Sequence, residues 1–151
     1  MAKEPTRDEL AAAVETCACF QLRRASRSVT QLYDAALQPT GLRSTQFVLL
    51  AVLRIEEPVG LTRLAQALGL ERSTLARNLL PLEKSGLVER QEAEQGRGSV
   101  LRLPPAGRRA LADATPRWAA VQQAFELEFG AKRWETLRKR LHEAVDTTRR
   151  V

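Results

Sequence analysis

The chain is poor in the residues that most enzymatic and extracellular chemistry draws on. A single histidine, His142, in 151 residues excludes a metal centre built on several imidazole ligands. Two cysteines, Cys17 and Cys19, are too few for the disulfide framework of a small secreted fold. The longest unbroken apolar run, Phe47–Leu53, has seven residues, far short of the roughly 20 that cross a bilayer, so no membrane partner is expected. Glu4, Asp8, Glu9 and Glu15 stand where a secretory signal has an apolar stretch, so a cytoplasmic location is expected. No glycine-rich phosphate loop, carboxylate pair or thiol with a histidine base at suggestive spacing occurs, and neither enzymatic activity, cofactor nor metal is expected.

What the chain does have is enough apolar content, 44%, to build the core of one domain. Its 24 Lys and Arg outnumber 18 Asp and Glu, and a net charge of +6 favours a polyanionic partner. The excess is spread out: residues 60–110 carry nine basic and five acidic residues, and residues 132–150 carry seven and three. Charge alone therefore does not locate a binding surface.

Periodicity does more. Thr6 followed by Glu9 forms a capping box, and apolar residues at helical spacing from Leu10 through Leu37 predict one helix of about eight turns ending before Pro39. A second helix starts near Ser44 and stops at Glu56-Glu57-Pro58. Two short helices follow, over 63–68 and 71–84, separated by Gly69; Pro81 predicts a bend in the second. The stretches Leu87–Gln91 and Ser99–Leu103, joined by a glycine-containing loop, predict a two-stranded hairpin. Leu111, Ala114, Trp118, Val121 and Phe125, then Trp134, Leu137 and Leu141, step by three and four as in a coiled-coil seam, which predicts burial against a second chain.

Two short helices around a glycine turn are a helix-turn-helix signature, and a hairpin directly after it makes a winged helix. The second helix would present Arg72, Ser73, Thr74, Arg77 and Asn78 opposite Leu75, Leu79 and Leu82. Arginine forks onto guanine, asparagine onto adenine, and serine or threonine reaches bases or phosphates. A merely solvated helix face has the same polarity, and the hairpin is what favours double-stranded DNA, with Arg97 at its tip placed for a minor groove.

The segments Leu61–Gly69, Arg72–Asn78, Leu82–Val88 and Leu103–Gly107, preceded by Gly41–Phe47, resemble the consecutive blocks of the MarR family of winged helix-turn-helix regulators. The resemblance implies a mainly α homodimer, usually a repressor. It would have an N-terminal helix (1–39) in the dimerisation region, a DNA-binding domain (40–105) and C-terminal dimerisation helices (106–151). Family wings usually carry Asp-x-Arg; here the stretch is Gln95-Gly96-Arg97, so the arginine lacks its orienting acid and Glu92 and Glu94 lie nearby. The resemblance also implies an effector, either an oxidant or a small aromatic molecule. Arg23, Arg27 and Tyr33 are candidate pocket residues, although both arginines could instead pair with acids across a dimer. Cys17 and Cys19 are candidate sensor thiols, or simply small buried hydrophobes. Trp118 and Trp134 read as interface core. The competing functions are a winged-helix module that binds protein, and a thiol-based redox protein without DNA binding.

Overall fold

The computed structural model describes residues 3–92 and 98–150. The capping box forms: the Glu9 carboxylate accepts the Thr6 N–H at 2.7 Å and the Thr6 hydroxyl accepts the Glu9 N–H at 3.3 Å, opening α1 (Arg7–Thr16). The expected single helix is interrupted at Cys17, whose ψ of 110° is extended, and resumes as α2 (Ala18–Leu37). No glycine or proline marks this break. Side chains hold it instead: the Gln21 amide donates to the Glu15 carbonyl at 2.8 Å, satisfying a group that the last turn leaves open.

A short 3₁₀ turn, Gln38–Thr40, leads to α3 (Ser44–Glu56), β1 (Val59–Gly60), α4 (Leu61–Leu68) and α5 (Arg72–Lys84). Gly69 ends α4 at φ 63°, and the Leu70 N–H reaches back to the Ala65 carbonyl at 2.9 Å, fixing the angle at which α5 departs. The strands β2 (Glu89–Glu92) and β3 (Ser99–Arg102) pair antiparallel as expected, but β1 joins the other side of β3, with Val59 opposite Leu101. The sheet thus has three strands in the order β1-β3-β2. Both members of that added pair are buried, so two residues of strand suffice to seal the core edge.

The core is leucine-rich. Leu37, Leu50, Leu53, Leu64, Leu75, Leu79, Leu82, Leu101 and Leu103 are almost wholly buried, each contributing about 2 kcal/mol of apolar transfer. Glu57 locks three elements beside it. With its side chain only 7% exposed, it accepts the Leu103 N–H at 2.7 Å and pairs with Arg108 at 2.8 Å and Arg54 at 3.1 Å. The end of α3, the end of β3 and the start of α6 (Pro105–Phe129) meet there.

The seam on α6 has a different partner from the one its spacing suggests. Ala114 and Val121 are buried and Trp118 stacks on Phe47, ring centres 5.7 Å apart, because α6 packs along α2 and α3 of the same chain. Gly107 makes that approach possible: a Cβ there would lie 2.1 Å from the Leu87 carbonyl oxygen. Beyond it, α7 (Ala131–Thr148) packs on α6 and buries no residue fully, and α1 buries none. Leu10 and Val14 on α1, Phe20 and Leu22 on α2, Leu127 on α6 and Val145 on α7 remain exposed.

Candidate nucleic-acid interface and adjoining cavity

On α5 the sequence pattern becomes a two-faced helix. Leu75, Leu79 and Leu82 anchor one face in the core, while Arg72, Ser73, Arg77 and Asn78 are exposed and Thr74 is half-buried. The helix runs through Pro81 to Lys84. A proline there removes its own N–H bond and crowds the carbonyl four residues before it, and the buried leucines hold the last turn in place. The Arg77 guanidinium lies 3.4 Å from the Thr74 hydroxyl, a long contact that leaves it free to reach a ligand. Arg97 lies outside the described residues.

Sequence reasoning missed the strut that fixes the wing against this helix. Arg90 on β2 donates to Glu83 of α5 at 3.1 Å and to the Ser99 hydroxyl of β3 at 3.3 Å. An Arg and a Glu seven residues apart across a turn was the available signal.

A cavity of about 450 Å³ opens behind α5, between α2, α3, α6 and the start of α7. Tyr33 lines it, as expected, but Arg23 and Arg27 do not: they border a separate depression with Leu22 and Ser26. Six helical positions separate Arg27 from Tyr33, a rotation that sets them about 120° apart. The walls are Val29, Val48, Leu49, Leu68 and Leu70 with Trp118 and Trp134. The two tryptophans expected in an interchain core therefore line a space within one chain.

Of the polar residues on the wall, which also include Thr30, Thr45 and Asn78, Tyr33, Gln122 and Ser44 are tied to carboxylates outside the lining. The Tyr33 hydroxyl donates to Gln122, whose amide donates in turn to Glu126 at 2.6 Å. Burial, and secondarily the Glu126 charge, push the Tyr33 hydroxyl above its ordinary pKa, so it stays protonated. Ser44 directs its hydroxyl to Asp34 at 2.6 Å, and its backbone N–H reaches the same oxygen at 2.7 Å. These bonds hold the Asp34 carboxyl below the usual carboxylate range. Asn78 belongs to two walls: it borders the cavity and also a shallow depression shared with Arg43, Gln46 and Arg77.

Cys17 and Cys19 are both exposed, which departs from the buried stripe expected for Cys17. Every residue from Lys3 to Val29 is exposed, and the break at Cys17 removes the continuous helix that would have turned the two thiols to opposite sides. No helix among the described residues is long and apolar enough to cross a membrane.

The comparisons agree with this architecture. Residues 42–97 match the model of the MarR family. The M. tuberculosis transcriptional regulator MosR is 35% identical, with 92% of this chain and 100% of that one superposed at a TM-score of 0.78. The chain belongs to the MarR family. MosR has also been solved in complex with DNA, at 36% identity over 88% of this chain and 96% of that one, TM-score 0.79. The repressor CouR, solved on a 23-mer DNA duplex, is 25% identical over 95% of this chain and 99% of its own, TM-score 0.78. In Bacillus subtilis the organic hydroperoxide resistance transcriptional regulator is 30% identical over 58% of this chain, and the match spans 60% of that protein's length. All of these are transcriptional regulators and not enzymes, and the mainly α winged helix-turn-helix fold is theirs.

Proposed function

We propose that this MarR-family protein is a homodimeric transcriptional repressor that acts in the cytoplasm on a pseudo-palindromic operator. The observation that carries the proposal is α5: an exposed polar row backed by buried leucines, in a chain whose relatives MosR and CouR have been solved on DNA. Arg72, Ser73, Thr74, Arg77 and Asn78 are the residues assigned to the major groove, and Arg97 of the wing to a minor groove. The exposed apolar residues of α1, α2, α6 and α7 are assigned to the dimer interface, so that residues 1–39 and 106–151 flank the DNA-binding domain 40–105. Two copies of α5 would then enter successive major grooves about 34–36 Å apart.

Release is assigned to a small aromatic molecule in the cavity or to modification of Cys17 and Cys19. The cavity abuts α5, and the exposed thiols sit at the α1–α2 break. CouR has been solved with p-coumaroyl-CoA bound, and the Bacillus relative is named for hydroperoxide resistance. An effector that costs about 3–4 kcal/mol of operator binding weakens it several-hundred-fold.

Selection of bound fragments from genomic DNA returns the operator. On that fragment Arg77→Ala loses about 1–3 kcal/mol and discriminates less at one position, while Arg97→Ala weakens selected and random DNA alike. Equal losses from Arg77→Ala on selected and random duplexes would remove α5 from the reading role.

A further inference from the structure

We propose that Arg43, the residue just ahead of α3, holds a DNA backbone phosphate at the rim of the major groove that α5 reads. The inference rests on the DNA-binding reading above and adds a contact from outside the helix-turn-helix pair. A shallow depression lies between the start of α3 and the middle of α5, and its polar lining is Arg43, Thr45, Gln46, Arg77 and Asn78. Two of these are cations and none is an acid.

The lining is uncommitted where an anion would need it. Arg43 is exposed and forms no ion pair among the described residues. The Gln46 side-chain oxygen accepts the Arg43 N–H at 2.9 Å, which holds that side chain beside Arg43 and leaves its amide N–H groups to donate. The Asp34 carboxyl is held low first by the Ser44 hydroxyl and N–H and only lastly by the Arg43 charge, so it is engaged elsewhere. Glu83, near the end of α5, is taken by Arg90 on the wing side. Two guanidinium groups bordering one depression, with no acid between them, favour an oxyanion there. Location selects which one. Arg77 and Asn78 belong to the row assigned to the major groove, and a helix seated in that groove is flanked by the two phosphate strands. Arg43 then meets the strand on the α3 side, while Arg77 adds its field from the other wall. Such a contact carries no sequence information and fixes the register of α5, which makes Arg43 a positioning residue.

The test measures binding of the full-length protein to the selected operator and to a random duplex of equal length, from about 50 to 200 mM salt. Arg43→Gln should weaken both alike, by about tenfold at the lowest salt, and flatten the plot of log affinity against log salt by about 0.9 for each half-site. Arg43→Lys, which keeps the charge, should keep the slope. Single operator phosphates are then replaced by uncharged methylphosphonates. In each half-site one replacement should weaken the parent about tenfold yet leave Arg43→Gln nearly unaffected, a coupling that a merely structural role does not produce. An unchanged slope for Arg43→Gln, or no phosphate whose removal it masks, overturns the assignment while DNA binding by the parent stands. Inorganic phosphate that binds the parent saturably in calorimetry and not Arg43→Gln, with both slopes equal, makes the depression a free-anion site and overturns the backbone assignment as well. No salt-dependent binding of either duplex by the parent overturns the DNA-binding reading itself.

Discussion

Replacing Glu57 separates a backbone anchor from a charge. Its carboxylate sits almost fully buried and accepts the N–H of Leu103, a residue itself 2% exposed. Glu57→Ala leaves that N–H without its partner, which costs about 1–3 kcal/mol. It also breaks ion pairs to Arg54 and Arg108, whose side chains are 53% and 47% exposed. Solvent reaches both guanidinium groups, so each pair adds no more than about 1 kcal/mol. The total is about 1–5 kcal/mol. Glu57→Gln keeps a carbonyl oxygen for the Leu103 N–H and gives up only the charge, so it costs about 1 kcal/mol. Urea unfolding at one fixed protein concentration measures both, read as a shift in midpoint at constant slope. Equal destabilisation by Gln and Ala would mean that the charge, not the backbone bond, holds β3 and α6 to α3. A loss below about 0.5 kcal/mol for Ala would refute the hub altogether.

Gly107→Ala forces a methyl against the Leu87 carbonyl and should lower stability by about 1–3 kcal/mol, read as a lower Tm; an unchanged Tm would show that α6 does not approach so closely. Asp34 titrates lower in the folded chain than in the unfolded one, because the Ser44 hydroxyl and N–H favour its charged form. Its contribution is therefore complete above the unfolded carboxyl pKa of about 3.9 and fades as pH falls through the lower folded value. Asp34→Asn should be less stable than the parent at neutral pH, with the difference shrinking in acid; a gap independent of pH would contradict the assignment.

The recognition segment was legible in sequence because its signals are local. Leu75, Leu79 and Leu82 repeat at helical spacing, and Gly69 supplies the left-handed turn before them. The break at Cys17 was not legible, since it depends on Gln21 folding back to a carbonyl six residues earlier rather than on a breaker residue. The packing of Trp118 on its own chain was not legible for a more general reason. Steps of three and four are the same whether a helix packs on its own chain or on another, so Trp118 looked like an interchain residue until Phe47 was seen beneath it. The cavity needed the tertiary arrangement entirely. Tyr33, Ser44 and Gln122 come from three helices, and only Tyr33 was singled out in advance.

The placement of that cavity constrains how any occupant could act on α5. The leucines behind α5 belong to the same tightly filled cluster as those of α3, α4 and β3, so the helix cannot slide independently of them. It can move only with that unit as a body. Asn78 and Leu49 on the cavity wall belong to this body, whereas Tyr33 and Gln122 belong to the long helices α2 and α6. The Tyr33–Gln122 bond ties the long helices to each other, and the Asp34–Ser44 bonds tie them to the body that carries α5. An occupant that wedges these walls apart would load the Asp34–Ser44 bonds together with the Phe47–Trp118 stack and the shared core that also join the long helices to this body. In a dimer joined through those helices, a small rotation of each head changes the separation of the two recognition helices. Because duplex DNA fixes that separation to about one helical turn, a changed separation in such a dimer would lower operator affinity without any contact between effector and DNA.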